Sequence, residues 1–266
     1  MLTPGFLTKV GSIRVERVPA HDFGDVDLSK APVGVGHTTE GSFESALQKF
    51  ESVDAPHFLV GADRKGKVRI CQLVALGRTA GALEHNKGTV ETNRWARAQI
   101  ELAGFSKKSA WLPNQDVLDA FTQLVAALRG RAGIPLHRPF PDAMIPAGII
   151  WATTKNPRRK SGHWGTLAGW WNHLEVPGNA HWDMGAFRWT PVLKNAQSLV
   201  KPAPEARPTT LPSWFWPWVE WRLGEGEFKS FGAAAEKHRP KEAPRPIPDW
   251  AWKRFAKFVA DRKPKR

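Results

Sequence analysis

The stretch His173-Leu-Glu-Val-Pro-Gly-Asn-Ala-His-Trp-Asp183 places three side chains that can bind or assist a metal ion within eleven residues. Pro177 and Gly178 favour a turn, because proline has no N–H and cannot continue a helix. The backbone should therefore reverse and bring His173 close to Asp183. Both residue types bind zinc well, and a catalytic zinc site needs a third protein ligand from elsewhere. The alternative is that these are ordinary polar residues of a turn.

Two more polar residues lie in apolar strand patterns. Ala31-Pro-Val-Gly-Val-Gly-His37 has the alternating valines of a buried strand, and it places His37 at the carboxyl end, where α/β sheets carry functional groups. A lone histidine at a strand end is more often structural, so that alternative stays open. Glu101 lies near the end of the next apolar strand pattern. A carboxylate there is costly to bury unless it has a partner or a chemical role.

The remaining pattern predicts an α/β fold. Residues 43–50 have the apolar spacing of an amphipathic helix, with Ser42 as its N-cap. Residues 56–60 and 68–74 read as two antiparallel strands joined by a turn at Gly66. Apolar residues recur at helical spacing between Gln115 and Arg129, which indicates a helix that covers the sheet.

Composition narrows the class of protein. The 266 residues carry 39 Lys and Arg against 25 Asp and Glu, a net charge of +14, so we expect a polyanionic partner such as nucleic acid, anionic lipid or an acidic wall polymer. Fourteen tryptophans suit stacking on sugars or bases as well as core packing. One cysteine, Cys71, excludes an intramolecular disulfide. With neither a signal peptide nor a membrane span in the sequence, we expect synthesis in the cytoplasm.

The last quarter of the chain differs from the rest. Residues 196–212 form a proline-rich linker, which should be stiff and extended. Pro212-Ser-Trp-Phe-Trp216 then recurs 36 residues later as Pro248-Asp-Trp-Ala-Trp252, an internal duplication. From residue 196 onward, 15 basic and 8 acidic residues leave a charge of +7. We interpret residues 213–266 as a helical, Trp-rich basic module that binds an extended polymer; the alternative is a helical hairpin whose tryptophans pack on each other.

The order of these motifs resembles the zinc-dependent N-acetylmuramoyl-L-alanine amidases of type 2, which share the peptidoglycan-recognition fold, and especially the endolysins of phages that infect actinobacteria. The resemblance covers roughly residues 30–190 and rests on His37, Pro56-His-Phe-Leu-Val60, Thr92-Asn93, Gln99-Ile-Glu101 and the stretch from His173 to Asp183. It implies a catalytic domain at residues 1–195 with a central mixed β-sheet flanked by helices.

The resemblance also implies a role for each matched residue. His37, His173 and Asp183 would bind Zn²⁺, Glu101 would be the catalytic acid and base, and His181 would stabilise the oxyanion. His57 and Asn93, together with Trp214, Trp216, Trp250 and Trp252, would contact the substrate. Two positions depart from the pattern: Pro56 stands where many relatives have a tyrosine, and Asp183-Met-Gly185 replaces Asp-Pro-Gly. Glu101 must then carry the proton chemistry without help from a tyrosine.

The expected activity is therefore cleavage of the bond between N-acetylmuramic acid and L-alanine by zinc-activated water. We expect a monomer that acts on peptidoglycan once the membrane has been permeabilised, with acidic wall polymers as further binding partners. Two alternatives remain: a non-catalytic peptidoglycan-recognition protein, and a basic nucleic-acid-binding protein. The first usually lacks the third metal ligand, and the second explains the motifs less well, so no nucleic-acid partner is expected.

Overall fold

A mixed β-sheet is the centre of the computed structural model. Its strands in the described part of the chain are β1 (Lys9–Val10), β2 (Ile13–Arg17), β3 (Val33–Thr38), β4 (Phe58–Ala62), β5 (Val68–Gln72), β6 (Ala96–Leu102) and β7 (Gly169–Asn172). They lie in the order β1-β2-β5-β4-β6-β3-β7. Three α-helices accompany them: α1 (Phe43–Phe50), α2 (Gln115–Ala132) and α3 (Trp189–Leu199).

The structure describes residues 2–84, 90–106, 114–140, 142, 156, 158–185 and 187–200. The linker beyond residue 200, the module at 213–266 and its four tryptophans of interest lie outside these residues. Helix α3 continues to Leu199, so its last turn extends past the predicted domain end at residue 195. None of the described helices is both long and apolar enough to cross a membrane.

Parallel pairing in the middle of the sheet determines where functional side chains can meet. β3 pairs in parallel with β6 and β7, and β4 pairs in parallel with β6. The carboxyl ends of these four strands therefore share one edge of the sheet. β4 and β5 form the predicted antiparallel pair, and Gly66 in their turn has a φ of 77°. The predicted α/β fold with a mixed sheet flanked by helices is confirmed.

Helices cover both faces of the sheet. α2 and α3 pack on one face and α1 on the other. Successive residues of β4 point to opposite faces: Phe58 and Val60 contact the side of α2 and α3, and Leu59 contacts the side of α1. The apolar positions predicted for the helix after Gln115 are all buried: Val117, Phe121, Leu124, Val125 and Leu128. The Ser42 hydroxyl accepts the Ser45 N–H at 3.2 Å, so Ser42 is the N-cap that the sequence predicted.

Glycines in β3 allow this close packing. A Cβ atom on Gly36 would lie 2.4 Å from Met184 Sδ and 2.6 Å from a ring carbon of Trp189. Any larger residue would push β3 away from the segment that follows Asp183. Gly36 thus allows β3 to lie directly against the segment that follows Asp183.

His57 lies within this core. Its side chain is fully buried, its Nε2–H donates to the Arg78 carbonyl at 2.9 Å, and its Nδ1 accepts the Gln99 N–H at 3.1 Å. The predicted substrate contact is not supported, because both ring nitrogens are committed to backbone groups. This position agrees with a structural role, and burial lowers the pKa of His57 to about 4.

We expect this lowered pKa to make folding stability depend on pH. Between pH 6.5 and about 4 the unfolded chain binds a proton at His57 that the folded chain excludes, so stability is complete above pH 6.5 and falls as the pH decreases. The shift corresponds to about 3 kcal/mol of unfolding free energy. Denaturant unfolding of the metal-free protein at several pH values, beside His57→Gln, measures it. Equal pH slopes for the two proteins would contradict the assignment.

Candidate active site

Strand register brings the three predicted metal ligands together. His37 is the neighbour of Glu101 across the β3–β6 pair, and Gly36 is the neighbour of Asn172 across the β3–β7 pair. His173 directly follows Asn172, so it emerges beside His37. The turn after His173 returns the chain to Asp183, and the Leu174 N–H donates to the Asp183 carbonyl at 2.7 Å.

The donor atoms of His37, His173 and Asp183 converge as a metal site requires. Their candidate ligand atoms all lie within 4.8 Å of one another. His173 Nδ1 is 3.0 Å from His37 Nδ1 and 3.1 Å from Asp183 Oδ1, and His37 Nδ1 is 3.7 Å from Asp183 Oδ2. Tetrahedral zinc, with bonds of about 2.0 to 2.2 Å, spaces its donors about 3.3 Å apart. The donor set and its spacing therefore fit a zinc ion.

Hydrogen bonds around the site orient two of these donors. His173 Nε2 lies 2.7 Å from Asn179 Oδ1, so an Nε2–H donor leaves Nδ1 free to bind a metal. The Thr38 N–H donates to Asp183 Oδ2 at 3.2 Å. Partners of this kind fix the tautomer and the direction of metal ligands. The sequence patterns did not identify Asn179, whose only signal was an amide six residues after a histidine ligand.

A buried ion cluster holds the turn that carries His173. Glu175 accepts the Asn172 N–H at 2.8 Å, and its buried carboxylate is paired with Arg138 at 2.6 Å and Arg158 at 2.7 Å. Two cations therefore compensate the cost of burying one carboxylate. The turn is fixed by these contacts before any metal binds.

Two neighbouring arginines, Arg158 and Arg159, support the metal loop from within the fold. Arg158 points inward to Glu175, as above, and Arg159 donates to the Leu174 carbonyl at 2.7 Å and to the His181 carbonyl at 2.6 Å. Arg159 therefore connects the two ends of the loop between His173 and Asp183. Charge alone could not distinguish this inward orientation from exposure.

Electrostatics of the ligand set favour cation binding. Burial and the nearby His173 hold the pKa of His37 well below its usual range, so His37 is neutral. Burial alone would raise the pKa of Asp183, but its interaction with His173 outweighs burial and lowers it. Burial opposes protonation of His173, yet the Asp183 carboxylate raises its pKa. A metal ion must displace the His173 proton, so metal affinity should fall as the pH decreases.

Glu101 lies beside this cluster with an unused carboxylate oxygen. Its Oε1 is 4.0 Å from His37 Nδ1, and its buried Oε2 has no hydrogen-bond partner among the described residues. Burial first, and then the negative charge of Asp183, raise the pKa of Glu101 well above its usual range. A carboxyl group of this kind, next to a metal site, can both accept and donate a proton.

His181 lies at the mouth of the site, where it can meet a substrate. Its ring stacks on His173, with centroids 4.6 Å apart and planes at 12°, and about half of its side chain is exposed. His181 Nε2 is 3.3 Å from Glu84 Oε1, and Glu84 also accepts the Ala180 N–H at 3.1 Å. Glu84 therefore helps to orient His181. No sequence pattern indicates this role of Glu84, because it is one polar residue in a loop.

A groove of about 770 Å³ opens over these residues. Glu101, His173, His181 and Asp183 line it, and so does Asn93. The Asn93 amide already bonds the backbone of Leu83 on both sides, accepting its N–H at 3.1 Å and donating to its carbonyl at 2.7 Å. Asn93 thus shapes the groove wall, while the other four residues face the space where a ligand would lie.

Comparisons with known proteins find similarity in solved structures. No protein-family model matches the chain, and the search of curated proteins found no match. A selenomethionine derivative of AmpD is 15% identical with a TM-score of 0.42, over 74% of this chain and 100% of that one. AmpDh3 from Pseudomonas aeruginosa, in complex with an anhydromuramic pentapeptide, is 13% identical with a TM-score of 0.41, over 91% of this chain and 81% of that one.

A third similar structure is the N-acetylmuramyl-L-alanine amidase AmiD from E. coli, in complex with a substrate that contains anhydro-N-acetylmuramic acid and a short peptide. It is 21% identical with a TM-score of 0.32, over 51% of this chain and 58% of that one. Identities and TM-scores at this level do not establish a shared activity, because one fold supports many functions. The function of this chain has to be argued from its own site.

Proposed function

We propose that this chain is a peptidoglycan hydrolase that cleaves the amide bond between N-acetylmuramic acid and L-alanine, with Zn²⁺ held by His37, His173 and Asp183. The observation that carries the proposal is the convergence of these three donors beside the buried Glu101 at the base of an open groove. The motif order in the sequence, which resembles that of zinc amidases, supports the same reaction.

The chain's own residues supply the proton chemistry. A zinc ion bound there would contribute Lewis acidity, which polarises an amide carbonyl and lowers the pKa of water. Glu101 accepts a proton from the attacking water and later donates it to the leaving amine of L-alanine. Its unpartnered Oε2 and its raised pKa suit both steps. No tyrosine can assist Glu101, because the chain contains none.

His181 is proposed to stabilise the oxygen that becomes negative during attack on the carbonyl. Its stacking on His173 and its contact with Glu84 hold the ring at the groove mouth. A hydrogen-bond donor placed at such an oxygen contributes about 2.7 to 4 kcal/mol to catalysis. The ring is exposed, so a substrate carbonyl can reach it without displacing a core residue.

Digestion of purified peptidoglycan tests the reaction. We expect mass analysis of the products to show peptides that begin with a free L-alanine amine, and glycan strands that keep the free lactyl carboxyl group. A parallel digestion with a zinc chelator should release neither product. Cleavage within the glycan or between later peptide residues would contradict the proposed bond, and cleavage that resists complete metal removal would contradict the proposed metal.

The route to the substrate is also a proposal. A chain of this kind, made in the cytoplasm as an endolysin is, would act at the wall as a monomer after another protein permeabilises the membrane. The +7 charge of the segment from residue 196 onward would attract acidic wall polymers at long range. Trp214, Trp216, Trp250 and Trp252 would add stacking surfaces for glycan.

Removing this segment should separate targeting from catalysis. Residues 1–200 should cleave small muropeptides as the full chain does but lyse whole walls more slowly, because tethering raises the local concentration of enzyme at an insoluble substrate. Residues 205–266 fused to a fluorescent protein should sediment with walls at low salt and less at high salt. Equal wall lysis by residues 1–200 and by the full chain would contradict a targeting role and would favour a purely structural role for the tryptophans.

A further inference from the structure

One part of the groove wall takes no part in the proposed chemistry. Phe23, Asp54 and Gly81 come from three different loops and all line the groove. A Cβ atom on Gly81 would lie 2.4 Å from Phe23 Cε2 and 3.2 Å from Asp54 Cα. The ring edge and the Asp54 backbone are therefore neighbours across Gly81, at a point where no larger residue fits.

Backbone hydrogen bonds hold this arrangement in place. The Gly81 N–H donates to the Ala55 carbonyl at 2.9 Å, next to Asp54, and the Phe23 N–H donates to the Thr79 carbonyl at 3.0 Å. The three loops are thus connected directly to one another. Asp54 also has a φ of 38°, which is unfavourable for a non-glycine residue and persists only where the surroundings determine it.

Phe23 and Asp54 both line the groove and are both exposed, although the Phe23 ring also makes an edge-to-face contact with His21 at a centroid distance of 5.0 Å. The Phe23 side chain is 51% exposed, although a large aromatic residue gains from burial. Within the described residues, the Asp54 carboxylate makes no hydrogen bond or ion pair. Other groove carboxylates differ, since Glu40 accepts the Ser106 N–H at 2.8 Å and Glu84 contacts His181. Asp54 is therefore available to a ligand.

An aromatic ring and a free carboxylate that line the same part of a groove are suited to a cation. The ring face attracts an ammonium group through its quadrupole, and the carboxylate attracts it by charge. We propose that Phe23 and Asp54 bind the side-chain ammonium group of the diamino acid in the stem peptide of the wall substrate. This inference rests on the proposed function and adds a determinant of peptide specificity to it. Gly81 allows this arrangement, because it lets the Phe23 ring lie directly against the loop that carries Asp54.

Two synthetic muramoyl peptides test the subsite with the full zinc-loaded chain. They differ only at the third peptide residue, which is L-lysine in one and Nε-acetyl-L-lysine in the other. We expect kcat/KM to favour the lysine peptide by about three- to tenfold, the range of an exposed ammonium contact with a carboxylate and a ring. Asp54→Asn should reduce the preference to about twofold or less. Phe23→Leu, which keeps bulk but removes the π face, should reduce it by a smaller amount.

Glu51→Gln is the matched control, because Glu51 is exposed three residues before Asp54 and does not line the groove; it should keep the full preference. Affinities of the two peptides for each protein, measured by isothermal titration, give the same ratio without catalysis. If neither peptide is cleaved, the amidase proposal fails, and the affinity ratio still decides the subsite. An undiminished preference for lysine in Asp54→Asn, or no preference in the unmodified chain, would overturn the subsite.

Discussion

Replacing His173 with alanine should give a folded protein that neither retains zinc nor hydrolyses peptidoglycan. His173 Nδ1 is the central donor of the set, within 3.2 Å of both His37 Nδ1 and Asp183 Oδ2. A catalytic zinc site needs three protein ligands, and two remaining donors cannot replace it. Alanine at His37 or Asp183 should have the same effect. Elemental analysis of the purified variants, beside turnover of a muropeptide, measures both losses.

A substitution beside the metal ligands should weaken zinc binding without abolishing it. Asn179→Ala removes the acceptor that orients His173, and such a change typically reduces metal affinity by about 10- to 100-fold. His137→Ala is the control, since His137 is exposed and uses only its backbone carbonyl in a bond to Trp170. Competition with a chelator ranks the variants. A His173→Ala protein with one zinc per chain and normal turnover would remove His173 from the site.

Sequence patterns predicted the local parts of this site because they act over short distances. Pro177 and Gly178 forced the reversal between His173 and Asp183, and Gly178 indeed has a φ of 75°. The alternation of valine and glycine before His37 predicted a buried strand, and β3 is buried along its whole length. Each of these predictions depended on fewer than a dozen consecutive residues. Over so short a stretch, the backbone preferences of the residues themselves largely determine the local structure.

The pairing of distant segments could not be obtained in the same way. β7 (Gly169–Asn172) was not predicted, because four residues buried on both faces give no alternating pattern. Yet this strand places His173 beside His37, a residue 136 positions away. Without the β3–β7 register, composition and spacing could suggest the ligands only through resemblance to other proteins. Registers across a sheet are determined by packing of the whole core.

The orientation of polar side chains also could not be predicted from the sequence. His57 was predicted to contact the substrate, but the bonds of both its ring nitrogens to backbone groups favour a role in the core. Arg159 binds the backbone on either side of the metal loop, which its sequence context does not indicate. The direction in which a polar side chain points depends on neighbours that the local sequence does not contain.

Glu101→Gln should keep the fold and the zinc but lose at least about 100-fold in turnover, the usual contribution of a general base. Glutamine has nearly the same shape, and no described residue bonds Glu101 Oε2, so the substitution breaks no contact there. Burial of the Glu101 carboxylate is unfavourable, which is why its pKa is raised. A neutral amide does not have this cost. Stability should therefore be unchanged or higher, while the amide can no longer accept the proton of water.

Zinc content, thermal unfolding and turnover of one muropeptide must be measured on the same Glu101→Gln preparation. Glu51→Gln, an exposed substitution of the same chemistry outside the groove, should match the unmodified protein in all three. If Glu101→Gln retains zinc and full turnover, the base lies elsewhere. His57 could not take that role, because its nitrogens are buried and bonded to backbone. His181, half exposed and 3.7 Å from Asp183 Oδ1, would then be the group that accepts the proton.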